Sequence, residues 1–280
     1  MVSEIKIPGT FRPKKSLDKN IESLLKEAEK GYKSRDVDEL KKTSSQFLLE
    51  NNCSMIDCKI VYDRASAMIE NLEYTLKDVE ELSRRTEIGV SIILGLYISA
   101  LINRIITEKD IVTLSPNEKL SCLGIYMPKG TMIIQRDVNN YVGAFMKSGN
   151  IMVKGNAMEY SGHHMKGGSI EILGNVTNHT GSGNEGGKIT VDGNSNNYTG
   201  YYMAEGSLTV KGNSNYRTGF SMSGGELVIE GNTYRGTGSA MYGGKLIVKG
   251  KITRMHCLKK ISKNFEKGTI IHGTKIIKHV

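Results

Sequence analysis

The stretch GKITVDGNSNNYTGYYMAE, residues 187–205, is followed directly by GSLTVKGNSNYRTGFSMSG, residues 206–224. The two segments have the same length and carry glycine, aliphatic and methionine residues at the same places. Their opening glycine recurs every nineteen residues, at 130, 149, 168, 187, 206, 225 and 244. Self-similarity at a fixed short period is typical of a solenoid, in which each repeat packs only against its neighbours.

Each repeat is numbered here from its opening glycine as position 1. Positions 3 and 5 are aliphatic, as in Ile170 and Ile172, and the segment around them alternates. A period of two with one apolar face predicts a half-buried strand. A methionine recurs at position 17 in every repeat except the one that carries Asn184. We predict three short strands in each unit, forming one coil of a parallel β-helix with aliphatic and methionine ladders inside the tube.

Glycines at positions 1, 7 and 14 are predicted to form the corners, where the chain turns with positive φ. The residues assigned to this structural repeat are Gly149, Gly168, Gly187, Gly206, Gly225, Gly244, Met165, Met203, Met222 and Met241. Asparagine follows the second glycine at 156, 175, 194, 213 and 232. Stacked asparagine amides can hydrogen-bond from coil to coil, so a structural ladder is favoured over ligand binding.

The repeat predicts about eight coils over residues 111–262, starting from a degenerate coil at Ile111. Residues 251–280 hold eight Lys and Arg against the single Glu266. We interpret residues 263–280 as a basic C-terminal cap; docking of a protein and binding of nucleic acid are the alternatives.

The part before the repeat has a different character. Residues 1–15 are predicted to be a tail, and residues 16–110 an α-helical domain, with apolar residues at helical spacing. Within it, residues 88–102 carry no charge. A membrane-spanning helix needs about 20 apolar residues. This shorter run therefore favours a buried helix that covers the open end of the solenoid, with membrane association as the alternative.

The composition limits the cellular context. The chain has 280 residues, a formal net charge of +9 and four scattered cysteines without a CxxC pair. The first twenty residues are polar and charged, without the pattern of a secretory signal. We therefore expect reduced thiols in a cytoplasmic protein.

No motif predicts a catalytic, cofactor-binding or metal-binding residue. Residues 181–186 match GxGxxG, but a phosphate site needs a helix after that motif, and the repeat predicts none. This coil is nevertheless irregular, which suggests a local widening or a contact site. His163, His164 and His179 come close if coils stack, yet no Asp or Cys joins them at ligand spacing. Tyrosines before the third glycine suggest packing or an exposed aromatic row: Tyr141, Tyr160, Tyr198, Tyr216 and Tyr234.

The run Gly-x-Ile-x-Val-x-Gly-Asn…Gly-x-x-Met-x-x-Gly, as in residues 187–206, resembles the GXGXG domain. That domain is the C-terminal right-handed β-helix of the glutamate synthase large subunit, and it recurs in one subunit of formylmethanofuran dehydrogenase. The resemblance covers about half of the chain and implies a right-handed single-stranded β-helix without catalytic residues or cofactors. The helical first 110 residues match neither family, and the glutaminase and flavin-binding portions of glutamate synthase are absent.

The sequence therefore predicts an α+β protein whose leading function is a non-catalytic scaffold in a glutamate synthase-like oxidoreductase complex. The alternatives are a scaffold like the β-helical subunit of formylmethanofuran dehydrogenase, or a partner-binding or self-associating rod. An enzyme remains a further alternative, with a site in the groove between the helices and the first coils, near Tyr126 and Tyr141. The expected partners are protein subunits or further copies of the chain, rather than nucleic acid or membrane.

Overall fold

The computed structural model describes residues 55–84, 91–253, 267–273 and 275–279. Three helices come first: α1 over Met55–Met68, α2 over Leu76–Ser83 and α3 over Ser91–Ile105. The predicted tail and the helices expected before residue 50 lie outside the described residues. Ten strands follow: β1 Ile111–Leu114, β2 Thr131–Ile134, β3 Asn150–Val153, β4 Ser169–Ile172, β5 Glu185–Val191, β6 Glu205–Val210, β7 Glu226–Ile229, β8 Gly243–Val248, β9 Lys267–His272 and β10 Lys275–His279.

All ten strands form one sheet in sequence order. The first nine are parallel, and β10 folds back antiparallel to β9. Equivalent repeat positions are paired across neighbouring strands, as in Ile151 with Ile170 and Ile170 with Ile189. The chain is therefore a parallel β-solenoid of about seven turns, which confirms the predicted β-helix. The predicted eighth coil depends on residues that include 254–266, which lie outside the described part.

Each coil has one regular strand rather than the three predicted. The second side contributes only isolated bridges, such as Val138 with Ala157. The third side is a run of turns, because its residues alternate into the left-handed region: φ is 61° at Tyr160, 66° at Gly162 and 47° at His164. Extended backbone cannot form there. This third side, positions 10–19 of each repeat, is called the turn side below.

The interior of the tube is filled by the residues that alternate along the strands and by the position-17 methionines. Met165, Met203, Met222 and Met241 are completely buried, as are Ile172, Ile189, Val191 and Leu208. Burying each such side chain stabilises the fold by about 1.5–3 kcal/mol. Identical or similar residues stack from coil to coil, so the core is a set of ladders, of which the methionine ladder is interrupted at Asn184.

The glycines serve two different purposes. At position 1, φ is 85° at Gly149, 81° at Gly168, 72° at Gly206 and Gly225, and 77° at Gly244. Position 7 has no positive φ. There a Cβ on Gly174 would lie 2.6 Å from the Gly155 carbonyl oxygen of the coil above. The expectation of positive φ at every corner is therefore wrong at position 7, where glycine is needed for close approach of adjacent coils.

Gly187 also departs from its series, since its φ is not positive. A Cβ on Gly187 would lie 2.4 Å from the sulfur of Met165, so the side chain of Met165 fills that space.

The asparagines at position 8 form a hydrogen-bonded ladder along one corner. Asn194 Oδ1 accepts from the backbone N–H of Asn213 at 2.8 Å and from its amide Nδ2 at 3.2 Å. Asn194 Nδ2 donates in turn to Asn175 Oδ1 at 3.1 Å. The ladder begins at Asp137 Oδ1 and ends at the backbone N–H of Lys251.

Asn194→Ala removes the acceptor for the Asn213 backbone N–H and interrupts the ladder in its middle. Because a lost hydrogen bond costs about 1 kcal/mol and this ladder loses more than one, we expect destabilisation of about 1–2 kcal/mol. Urea unfolding followed by circular dichroism measures it. The control Lys188→Ala changes an exposed side chain of the same coil, and an equal loss in that variant would contradict the ladder's role.

Helix α3 lies across the first coil. Its Ser99 Oγ donates to the Cys122 carbonyl oxygen at 2.9 Å and accepts from the Gly124 N–H at 3.0 Å. Asn103 Nδ2 donates to the Ile125 carbonyl oxygen at 2.8 Å. Residues 94–102 of the charge-free run are buried, packed against this coil and the other helices. Within the described parts of the chain, no helix has both the length and the apolar character needed to cross a membrane.

Candidate functional site

The turn side carries a column of stacked rings at position 12. Tyr141 and Tyr160 stack with ring centroids 5.0 Å apart. Tyr160 and His179 are 4.7 Å apart, and His179 and Tyr198 are 4.8 Å apart. Arg217 ends the column, with its guanidinium 5.3 Å from the Tyr198 ring centroid. The spacing follows from the distance between neighbouring strands in a sheet, about 4.8 Å.

A second column occupies position 16. Tyr126 stacks on Phe145 at 5.4 Å, and Phe145 stacks on His164 at 5.7 Å. Tyr62 of α1 extends the column beyond the first coil, 4.9 Å from Tyr126. The rings at position 15 lie edge-on between the columns, as His163 does at 5.3 Å from Tyr160. Tyr141, Tyr160 and Tyr198 of the row suggested by the sequence therefore belong to the first column, and the second column extends onto the helices through Tyr62.

This stacking decides which ligands the rings can contact. Each inner ring has both faces covered by its neighbours, so the outer surface receives ring edges, hydroxyls and imidazole nitrogens. Sugars and nucleobases bind to aromatic residues through free ring faces. The columns therefore do not offer a stacking platform along their length, and their chemistry toward a partner is that of polar aromatic edges.

The irregular coil predicted around residues 181–186 is explained by Asn184, which replaces a ladder methionine. Its Oδ1 accepts from the Gly187 N–H at 2.9 Å, and its Nδ2 donates to the Gly187 carbonyl oxygen at 2.9 Å. Asn184 thus closes its own turn, and β5 starts early, with a register shift after Glu185. A strand follows the GxGxxG match, so the motif lacks the helix that a phosphate site requires.

The histidines lie close together but do not converge. His163 and His164 have ring centroids 4.4 Å apart, whereas His179 stacks on the far face of Tyr160. His164 Nδ1 lies 2.9 Å from Glu185 Oε1. Over the described ranges, no three His, Cys, Asp or Glu side chains are placed to hold a metal ion.

Burial determines the protonation of two of these histidines. The pKa of His163 is lowered to about 4, mainly by desolvation and to a smaller extent by the nearby His164. Burial also lowers the pKa of His179. Both imidazoles are therefore neutral in the folded protein at neutral pH, His179 as a stacked ring of the first column and His163 as an edge-on ring between the columns.

Tyr126 and Tyr141, near which a groove was suggested, lie where the helices meet the first coils. Tyr141 is 7% exposed and belongs to a buried cluster with Cys58, Leu96 and Cys122 that joins the helices to the first coils. Burial raises the pKa of Tyr126 to about 12, so its phenol stays protonated. These tyrosines connect the helices and coils through packing.

The later coils present a different surface on the turn side. Four tyrosines there are about half exposed: Tyr202 54%, Tyr216 49%, Tyr234 45% and Tyr242 51%. The sequence reasoning identified Tyr216 and Tyr234 but missed Tyr202, Tyr242 and Arg217. Aligning the repeats would have identified Arg217 and Tyr202. They occupy positions 12 and 16, which carry aromatic rings in earlier coils.

Comparison with known proteins adds no identification. No protein-family model matches the chain, and no curated protein matches it. The resemblance to the GXGXG domain therefore rests on the repeat residues themselves.

Proposed function

We propose that this chain is a non-catalytic scaffold that docks protein partners through the exposed tyrosines of its turn side. The observation that carries the proposal is the concentration of half-exposed tyrosines, Tyr202, Tyr216, Tyr234 and Tyr242, on one side of the later coils. Tyrosine is enriched in protein interfaces because it contributes large contact area at low cost in side-chain entropy. A rigid solenoid adds a fixed spacing between these groups.

The resemblance of the repeat to the GXGXG domain supports a more specific form of the proposal. In that form, the chain is a structural subunit or domain of a cytoplasmic oxidoreductase complex of the glutamate synthase type. A complex of the formylmethanofuran dehydrogenase type is the second candidate, because the same repeat occurs there. The chain's own contribution in both cases is to hold other subunits in place.

Mild affinity purification of the tagged chain from its native organism tests this, with mass spectrometry of the proteins that co-elute in stoichiometric amounts. We expect flavin or iron–sulfur subunits together with an amidotransferase. Molybdenum or tungsten subunits would instead support the second candidate. A chain that elutes alone and monomeric at micromolar concentration would contradict the scaffold role.

The double substitution Tyr202→Ser/Tyr234→Ser links that result to the turn side. We expect recovery of the partner to fall at least tenfold, because interface tyrosines of this kind contribute 1 kcal/mol or more each, roughly, when buried by a partner. The control Leu173→Ser removes an exposed apolar side chain at the end of β4, on the side of the tube that carries the strands (positions 1–6 of each repeat, the strand side). It should leave recovery unchanged. Equal loss in both variants would contradict docking through the turn side.

A further inference from the structure

We propose that Arg217 and its surrounding tyrosines form a docking site for a carboxylate on an acidic protein partner. This inference rests on the proposed scaffold function and specifies the chemistry of the partner. It depends on three observations: how Arg217 is held, which charges surround it, and which side chains frame it.

Arg217 is fixed by the end of the first ring column. Its guanidinium lies 5.3 Å from the ring centroid of Tyr198 and 5.2 Å from that of Phe220. One of its terminal nitrogens donates to Tyr198 Oη at 2.7 Å. A guanidinium held against two rings has lost much of its freedom before a partner arrives. Binding therefore costs less side-chain entropy than binding to a free arginine would.

The guanidinium keeps donors for a ligand. It has five N–H groups in a planar fork, and within the described residues only the bond to Tyr198 engages its terminal nitrogens. A carboxylate matches such a fork with two parallel hydrogen bonds. The side chain is exposed, so this geometry is available from solvent.

The local charge favours an acidic partner. In the last three complete coils the turn side comprises residues 196–205, 215–224 and 234–243, and its charged residues are Arg217, Arg235 and Glu205. No carboxylate of the described chain forms an ion pair with either arginine. On the strand side, by contrast, lysines pair with carboxylates, as Lys249 does with Glu230 at 2.6 Å. The turn side of these coils thus has a net charge of +1, and its two arginines, outside any ion pair of the described residues, would be neutralised by a complementary acidic surface.

The frame around Arg217 has the composition of an interface centre. Tyr216 and Tyr234 contact each other, with ring centroids 6.1 Å apart. Tyr202, in the preceding coil, meets Tyr201 edge-on with ring centroids 4.3 Å apart. Tyrosine and arginine dominate the residues whose loss costs most binding energy in protein interfaces. One face of Tyr198 is covered by His179 and the other by Arg217, so a nucleobase cannot stack on that ring.

The probe for this site is a dye-labelled hexaglutamate peptide, titrated with the full-length chain and followed by fluorescence anisotropy at low salt. We expect Arg217→Gln/Arg235→Gln to weaken binding at least tenfold. The control Lys154→Gln/Lys188→Gln removes the same charge from the strand side and should change binding less than twofold. Equal weakening in both, or no binding by the unmodified chain, would overturn the proposal.

Two further measurements separate the chemistry from charge alone. Arg217→Lys keeps the charge but loses the planar fork, so we expect binding at least threefold weaker than in the unmodified chain. Binding as tight as the original would reduce the site to nonspecific attraction and overturn the carboxylate assignment. A labelled hexauridylate is the competing ligand, and tighter binding of it through the same arginines would also overturn the assignment.

The failure of this inference can be distinguished from failure of the scaffold role. If the tyrosine pair is needed for recovery of the native partner but the arginine pair is not, docking through the turn side stands and the carboxylate site is wrong. If neither pair affects recovery, both proposals are wrong. All variants are first compared by circular dichroism and thermal midpoint, so that only folded proteins enter the binding comparison.

Discussion

Replacing Gly95 by alanine is expected to destabilise the protein by about 3 kcal/mol, although alanine is the better helix former. Gly95 lies within α3, where the intrinsic preference favours alanine by about 1 kcal/mol. A Cβ at that position would lie 1.8 Å from the carbonyl oxygen of Ser121 in the first coil. Since the obstacle is backbone rather than a flexible side chain, relief requires α3 to move away from the coil.

Movement of α3 should change hydrogen exchange near the contact as well as the stability of the whole protein. The Gly124 N–H, which donates to Ser99 Oγ of α3, should lose protection against hydrogen exchange when α3 shifts. Urea unfolding measures the total loss. Arg64→Ala, an exposed substitution in α1, serves as the control and should change stability by less than about 0.5 kcal/mol. A stabilised Gly95→Ala protein would mean that α3 does not lie against the first coil.

The parallel β-solenoid was predictable because the same pattern of apolar residues and glycines repeats along the chain. One β-strand with apolar positions 3 and 5 gives a weak signal, but the same pattern at a fixed period of nineteen residues leaves few alternatives. The interior methionines and the asparagine ladder follow from stacking like on like. Gly95 shows the limit of this reasoning: its spacing fits a buried helix, but only the packed structure reveals the backbone that requires glycine there.

The turn side was less predictable because its conformation is unusual for its residues. Tyr160 and His164 adopt left-handed φ, which bulky residues seldom do, so propensity gave no indication of turns there. The three-strand coil was predicted on the assumption that every side is extended. Instead, backbone bonds between coils hold these residues, as the Tyr160 N–H does by donating to the Asn178 carbonyl oxygen at 3.0 Å.

The candidate site was predictable in its parts but not in its arrangement. The tyrosines before the third glycine were visible in the sequence, yet the alignment of Tyr141, Tyr160 and Tyr198 in one column depends on position 12 keeping the same left-handed conformation from coil to coil. Arg217 carries no motif of its own. Its importance arises because the column places the Tyr198 ring against its guanidinium. The two residues are nineteen positions apart in the sequence, and only the period of the coil brings them together.

Acid is expected to destabilise the fold through His163, which is the second large effect. The pKa of His163 is about 4 in the folded protein, against an ordinary value of 6.5, because burial disfavours the charged imidazole and His164 lies beside it. The unfolded chain therefore binds a proton at higher pH than the folded one. Above about pH 6.5 the neutral His163 does not lower the free energy of unfolding. As the pH falls from there toward about 4, protonation of the unfolded chain lowers that free energy progressively.

The linkage gives the size of the effect. Stability should fall by about 2 kcal/mol at pH 5 and by about 3 kcal/mol at pH 4 from this group alone. Urea unfolding between pH 7.5 and pH 4 measures the slope. His163→Phe should flatten most of it, because Phe220 occupies the equivalent position of a later coil and an uncharged ring fits there.

The neighbouring titratable groups determine how the result is interpreted. His164, Glu185 and Glu159 face the same stretch of the columns, and the pKa of His179 is also lowered by burial. His179→Tyr, which matches the tyrosines above and below it in the column, should therefore flatten the slope less than His163→Phe does. If His163→Phe keeps the full acid dependence, another group controls it, and the enclosure of His163 between the two columns is not the cause.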